Sequence, residues 1–489
     1  MSSLSLPGEE KATDHQVFTT NFFENDTEFQ KMIMRTTVRF NDRLDPEMLR
    51  SSLSELVQLP TWRKFAGRFS LNSEGRVQII TPHTLPDDYV LVDYRHVDCT
   101  HRNIGDHEAV AKLPENLKES SVHHTWGQES SLFRPDDFTA TSTHSYIADS
   151  RPPLLLYVTT FRDGTMMSLI WPHVLFDGAG LAAFLGAWSL VVNGKISQVP
   201  PILPDPMPKI MDEATMAKEQ GQLPKFPVHK LLLIVVWMLW RTWTKPRNER
   251  RFVVLTKESV ARLRHRAALG APAGKESKIS DGALITAWIA KTLAAADKDY
   301  TTSNIVCAAN VRRSLPELQV LTGEYIQNLV ASFFITLPQT IVQAPLLQLA
   351  SFLRNETRER TSAASVRAYF RDRHEASLTS SKTNIYDPRT AAHTVVLPVF
   401  VNNMASLCIA EQLDFGSAVV GTAQGKRTNR IGTPLYFRNS NAVWTEQKLN
   451  MASFAMQGRS EEGSYYLDAC LPPRAYVLIE ESLRVGEAL

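Results

Sequence analysis

Trp171-Pro172-His173-Val174-Leu175-Phe176-Asp177-Gly178 places an imidazole and a carboxylate four positions apart, with a glycine directly after them. Thr165-Met166-Met167-Ser168-Leu169-Ile170 precedes this stretch and reads as a buried strand; Gly180 to Val192 follows it, apolar at helical spacing. His173 therefore stands at a strand-to-helix turn, where a side chain projects into a cleft. Imidazole titrates near neutrality, so it can take a proton from a hydroxyl and return it later. The bland alternative is a core histidine beside a helix-capping Asp177. Spacing alone does not choose, because thirteen histidines make roughly one such match expected by chance. A second match, His83-Thr84-Leu85-Pro86-Asp87, contains a proline, lacks the trailing glycine and lies in polar, turn-rich sequence, so it reads as a loop.

A chain of 489 residues is too long for one ordinary core, and two or more domains are expected. Hydrophobic residues make up 43% and charged residues 21%, the balance of a soluble globular protein. A formal charge of +2, with no basic stripe interleaved with aromatics, gives no electrostatic case for nucleic acid. Cys99, Cys307, Cys408 and Cys470 lie far apart with no metal-ligand spacing, so they read as core-filling thiols of a reduced compartment and no metal is expected. Met1 to Gln16 is polar and carries no secretory apolar region, which points to the cytosol.

Outward from the central stretch, Met32 to Phe40 alternates as a strand, and Asp45-Pro46-Glu47 opens a helix with an N-cap, a proline at N1 and an acid in the first turn. Gln78 to Thr81 reads as an edge strand, and the polar, histidine-rich stretch from Asp93 to Thr125 as irregular surface. Leu154 to Phe161 and Thr165 to Trp171 form a hairpin about Arg162-Asp163-Gly164. Seven prolines between 199 and 227 mark an interdomain crossover. Leu231 to Trp240 is apolar on all sides but too short to span a bilayer, which takes about twenty residues. It reads as a buried crossover helix, the alternative being contact with a membrane surface, since tryptophans and cations flank it. Arg251 to Leu255 then reads as a strand, Lys257 to Ala268 as a helix, Ser280 as the cap of a further helix, and Ile305 to Ala309 as a strand. Strands are expected again at Val395 to Val401, Ala418 to Thr422 and Ser464 to Cys470. The whole is α/β with mixed sheets: an N-terminal domain over 1–205, a crossover over 206–250 and a C-terminal domain over 251–489.

Further signals stand in order with His173-x-x-x-Asp177-Gly178: Phe65-Ala66-Gly67-Arg68-Phe69 upstream, then Ile279-Ser280-Asp281-Gly282, Asn310-Val311-Arg312-Arg313, Tyr325-Ile326-Gln327-Asn328 and Leu413-Asp414-Phe415-Gly416. Their joint order resembles the BAHD superfamily of coenzyme-A-dependent acyltransferases, especially its fungal secondary-metabolism branch, which includes trichothecene acetyltransferases. The resemblance spans roughly residues 18 to 480. It implies two chloramphenicol-acetyltransferase-like domains with an active-site channel at their interface, so that acyl-CoA and an alcohol reach His173 from opposite faces. It also implies structural roles for Asp414 and Gly416. Two departures stand out. The usual D-F-G-W-G reads Asp414-Phe415-Gly416-Ser417-Ala418, and the usual T-S-W or T-N-W reads Asn402-Asn403-Met404. Methionine donates no hydrogen bond; the Asn402 amide is the candidate oxyanion donor in its place, with Asn403 on the opposite face of an extended chain.

The implied reaction is O-acylation of a hydrophobic terpenoid, polyketide or alkaloid, with acetyl-CoA as the expected co-substrate, no permanently bound cofactor and a monomeric enzyme. His173, Asp177 and Asn402 are the candidate catalytic residues. Asp177 has two readings. On a helix its carboxylate shares a face with His173 and orients the ring; by the resemblance it pairs with Arg312 and braces the turn. Gly178 permits a tight turn in either case. Lys275, Lys278 and Ser280 offer cations and a helix N-terminus to the phosphates of CoA, the alternative being solvated loop lysines. Arg313 reads as solvated or in a peripheral ion pair. Two other functions are compatible with the pattern: a carrier-protein-dependent condensation enzyme, though Pro172 stands where a second histidine is usual, and a non-catalytic acyl-CoA-binding protein.

Overall fold

The computed structural model describes residues 14–485 apart from 112, 114–118, 125–131, 217–227, 270–278, 320, 380–396, 423–426, 428, 443–449 and 461–462. Two mixed sheets dominate. The first has five strands in the order Tyr436–Asn441, Ile33–Phe40, Thr165–Pro172, Leu155–Phe161, Asp93–Cys99. The second has seven: Val330–Leu337, Ser303–Asn310, Leu397–Asn403, Ala452–Arg459, Tyr465–Leu471, Glu249–Leu255, Ser121–His124. Each sheet takes one strand from the other half of the chain. Tyr436–Asn441 pairs antiparallel with Ile33–Phe40, and Ser121–His124 pairs antiparallel with Glu249–Leu255. Neither sheet is complete without this exchange, so the two halves are locked together along their interface.

Thr165–Pro172 is buried at every position, which is why it is a continuous apolar run and not an alternating one. It lies between Ile33–Phe40 and Leu155–Phe161, with the expected hairpin closed by Phe161 N donating to the Gly164 carbonyl at 2.8 Å. The helices Pro46–Gln58 and Gly178–Val192 pack together on this sheet, joined by Trp188 Nε1 to Ser52 Oγ at 3.0 Å. The Asp45 carboxylate caps the first of them through Glu47 N and Met48 N. On the seven-stranded sheet lie Asp281–Ala296, Leu346–Arg360 and Pro473–Val485, over a second core that includes Trp288, Ile305, Val399 and Tyr476.

Three expectations need correction. Val77–Pro82 is no edge strand; it is the middle of a small sheet between His15–Thr19 and Arg68–Leu71. The stretch from Asp93 to Thr125 is not irregular throughout, since strands form at both its ends; Asp93–Cys99 reads as polar because it is the exposed parallel edge of its sheet. Finally, the crossover helix Val228–Thr244 is not buried. One side docks through Met238 and through Arg241, whose guanidinium is 1% exposed and bridges Asp297 and Asp299, both at 2.7 Å. The other side presents Leu232, Leu233, Val236, Leu239, Trp240 and Trp243 to solvent, Trp243 at 88% exposure.

Candidate active site

His173 leaves the end of its strand with its backbone N–H donating to the Met32 carbonyl at 2.9 Å. Its ring stacks on Phe29, centroids 4.4 Å apart and planes 12° from parallel, with Trp171 tilted 5.8 Å away. Burial pushes the imidazole below its ordinary value; its own carbonyl, Asp177 and Asn328 act the other way but do not prevail. The ring is therefore neutral at physiological pH, the state a general base requires. Nδ1 is buried without a hydrogen-bond partner.

Asp177 is committed elsewhere. As N-cap of Gly178–Val192, its Oδ1 accepts from Ala179 N at 3.0 Å and Gly180 N at 2.9 Å. Arg312 grips both oxygens, at 2.8 and 3.0 Å, and Leu329 N donates at 2.9 Å. Arg312 in turn donates to the carbonyls of Tyr325 and Gln327. Counted as catalytic from the sequence, Asp177 is a brace in the structure, because five donors leave it no freedom to orient the ring. The glycine that the turn demands is Gly180, which sequence reasoning missed. A Cβ on it would lie 2.1 Å from the Ile326 carbonyl oxygen, whereas one on Gly178 would meet only flexible side-chain ends, Leu407 at 3.0 Å and Met404 at 3.5 Å. The close approach of Gly180 to Ile326 seats the turn on the segment that carries Asn328.

Two cavities lie on opposite faces of the seven-stranded sheet. Side chains alternate along a strand, and here the alternation separates two environments. A cavity of about 560 Å³ lies under the helices, lined by Ile305, Cys307, Ala309, Asn403, Ser280 and the three guanidinium-bearing residues Arg313, Arg354 and Arg358. None of these arginines forms an ion pair among the described residues. A second cavity, of about 230 Å³, faces the five-stranded sheet and is lined by Met32, Met34, Val306, Phe400, Asn402, Ser440 and Gln457 among others. His173 lines neither cavity, and the turn touches each through one neighbour. Met32, which lines the second cavity, accepts from His173 N; Leu407, which lines the first, lies against Gly178.

Lys275 and Lys278 lie outside the described residues. Ser280 caps Asp281–Ala296 through Ala283 N at 3.3 Å and lines the larger cavity. Asp281, beside it, is paired with Arg264 and accepts from the Tyr465 hydroxyl at 2.9 Å. Arg313 is exposed to solvent, as expected, and also lines that cavity. Asn402 and Asn403 do face opposite sides, but Asn403 is not idle, since its amide closes on Gly282. Met404 is buried against Gly178. The Cys307 thiol is pushed up to about 12 by burial and is no nucleophile. Among the described residues no cluster of His, Cys, Asp or Glu could hold a metal ion. Asp414 and Gly416 sit at the far end of Gly178–Val192, where Asn193 Nδ2 donates to the Asp414 carbonyl at 2.7 Å and Gly416 N donates to the Asp414 carboxylate at 3.1 Å. A helix of this length puts them about 22 Å from His173.

A family model described as the Transferase family matches residues 130–419. The chain is similar to the acetyltransferase pyiB of Pyricularia grisea, 26% identical over 491 residues that cover 96% of this chain and 94% of that protein. It is also similar to the O-acetyltransferase PaAT-2 of Phomopsis amygdali, 24% identical with 94% and 96% of the two chains covered. Among solved structures, that of F. sporotrichioides TRI101 complexed with coenzyme A and T-2 superposes with a TM-score of 0.62 at 15% identity, over 96% of this chain and 97% of that one, which establishes a shared fold.

Removing one side of the Asp177–Arg312 pair leaves a buried charge uncompensated, at a cost of about 3–5 kcal/mol. Asp177→Asn is therefore expected to lower the melting temperature, and Gly180→Ala to do so more than Gly178→Ala. Equal melting of the two glycine variants would contradict the seating of Gly180 on Ile326.

Proposed function

This chain belongs to the Transferase family, the BAHD type that its motifs resemble, and on that premise we propose that it transfers an acyl group from acyl-CoA to a hydroxyl of a secondary metabolite, with His173 as general base. The observation that carries this reading is the neutral imidazole at a turn whose neighbours Met32 and Leu407 line two cavities on opposite faces of one sheet. With Nδ1 buried, Nε2 is the atom that meets the acceptor. It takes the hydroxyl proton as the new C–O bond forms at the thioester carbonyl. Asn402 donates to the resulting oxyanion from the acceptor side. Collapse breaks the C–S bond, and His173 returns the proton to the departing thiolate. Acetyl is the acyl group we assign, in keeping with the names of the relatives, and the acceptor is a hydrophobic terpenoid, polyketide or alkaloid.

The phosphates of CoA are assigned to Arg313, Arg354 and Arg358. Three guanidiniums in one cavity, none with a carboxylate partner among the described residues, form an anion site, and planar, always-charged guanidinium suits phosphate. Contact with a membrane surface is assigned to the exposed face of Val228–Thr244, which at 17 residues lies along a bilayer interface; no helix among the described residues is long and apolar enough to cross a membrane.

His173→Ala is expected to leave less than about a tenth of the wild-type transfer rate, since a general base contributes more than that, while His83→Ala is silent. A panel of acyl-CoAs against hydroxylated natural products, scored by mass spectrometry, reads both; substantial turnover in His173→Ala would end the proposed mechanism. Arg358→Ala is expected to raise the KM for acyl-CoA about tenfold with kcat little changed, as for one lost charge-assisted hydrogen bond worth about 1.5–3 kcal/mol. An unchanged KM would move the phosphates elsewhere. The wild-type protein should sediment with phosphatidylcholine–phosphatidylserine vesicles, and a Leu233→Asp, Val236→Asp double variant should stay in the supernatant; identical behaviour of the two removes the membrane assignment.

A further inference from the structure

Glu24 precedes the short helix Thr27–Lys31, and nothing in its sequence context distinguishes it. Its side chain is 0% exposed. Oε1 accepts from both the backbone N–H and the side-chain Nδ2 of Asn328, each at 3.0 Å, and Oε2 accepts from Asn21 N at 3.1 Å. The same Asn328 Nδ2 donates to the His173 carbonyl oxygen at 3.0 Å. A continuous path thus runs from Glu24 through Asn328 to the peptide of His173. Two residues further on, Asp26 caps Thr27–Lys31 through Glu28 N and Phe29 N, and Phe29 is the ring stacked on the imidazole. One short segment therefore supports His173 twice, at its main chain and at its ring face.

We propose that Glu24 is a positioning residue for acyl transfer: it fixes Asn328, Asn328 fixes the His173 peptide, and the imidazole is held against Phe29 in its working orientation. This rests on His173 being the general base. The cost of burying Glu24 supports the assignment. Burial pushes its carboxyl up to about 7, with Asp205 adding to the rise, and the hydrogen bonds from Asn328 and Asn21 only partly oppose this. Lys64, also buried, feels the charge of Glu24 but is itself pushed down to about 8 by burial. The groups facing Glu24 are Asn21, Lys64, Asp205, Tyr325 and Asn328; Asp177, held by Arg312, faces His173. A carboxyl whose folded pKa is raised from 4.5 to about 7 contributes stability below the lower value and loses it as pH rises through the higher one. At pH 8 the ionised carboxylate therefore costs the fold stability, while its oxygen still accepts from Asn328.

The test begins with wild-type protein and acyl-CoA. If no acyl transfer depends on His173, the reading of the site falls, whatever Glu24 does. Given such transfer, Glu24→Ala and Asn328→Ala should each lower kcat by about 10- to 100-fold, the scale of a small misplacement of a reacting group, with KM for acyl-CoA unchanged. The double variant should be no worse than the poorer single, because the two act along one path. Glu24→Gln, which keeps the acceptor oxygen, should recover part or all of kcat and melt no lower than wild type at pH 8. A Glu24→Ala kcat within about twofold of wild type, or losses that multiply in the double variant, would overturn the proposal. If Glu24→Ala does not fold, Glu24→Asp replaces it: the carboxylate is withdrawn by one methylene, and full wild-type kcat there would overturn the proposal equally.

Discussion

The Asp177 carboxylate holds the site together. It accepts from Ala179 N, Gly180 N, Leu329 N and both terminal nitrogens of Arg312. The first two bonds satisfy donors that every helix N-terminus leaves unpaired, and negative charge is favoured there. The other three reach 135 to 152 residues along the chain. The strand bearing His173, the helix after it and the segment 310–329 are thereby joined at one point. His173 owes its place to this junction: its strand is fixed by two antiparallel neighbours, its peptide by Met32 and Asn328, and its ring by Phe29. An imidazole so held is preorganised for the proton transfer proposed for it.

Around the junction, the two-residue period of β-strands sets two cavities on opposite faces of one sheet. On Ser303–Asn310, residues Ile305, Cys307 and Ala309 line the larger cavity and Val306 lines the smaller, while Ala308, like Val401 on the neighbouring strand, borders both. On Leu397–Asn403 the division falls between Asn403 and the pair Phe400 and Asn402. A one-residue register shift would exchange these faces. The two parallel ladders that hold Leu397–Asn403 between Ser303–Asn310 and Ala452–Arg459 therefore bear directly on specificity.

What the sequence made legible was local. The strand-turn-helix around His173, the Asp45 and Ser280 caps and the hairpin at Arg162-Asp163-Gly164 depend on neighbours within a few positions, and the structure has them. Asp93–Cys99 was missed because an exposed edge strand carries no apolar alternation. The helix Val228–Thr244 reads as buried because apolar residues lie on all its sides, yet a single buried cation, Arg241, decides which side docks. Gly178 stood out in the motif, whereas the clash that requires glycine is at Gly180, against a carbonyl 146 residues away. Glu24 and Asn328 are 304 residues apart, and no spacing pattern reports such a contact. The resemblance to a family supplied the pairing of Asp177 with Arg312; the periodicity of the chain could not.

In the proposed reaction, donor and acceptor approach His173 from opposite faces of the seven-stranded sheet. A crystal structure with a non-transferable thioether analogue of acyl-CoA and a hydroxylated acceptor tests it most directly. The account predicts the nucleotide phosphates against Arg313, Arg354 and Arg358, the acceptor beside Asn402 and Met32, and the acceptor hydroxyl within about 3 Å of His173 Nε2. Coenzyme A seated in the Asn402 cavity, or both ligands on one face of the sheet, would contradict it.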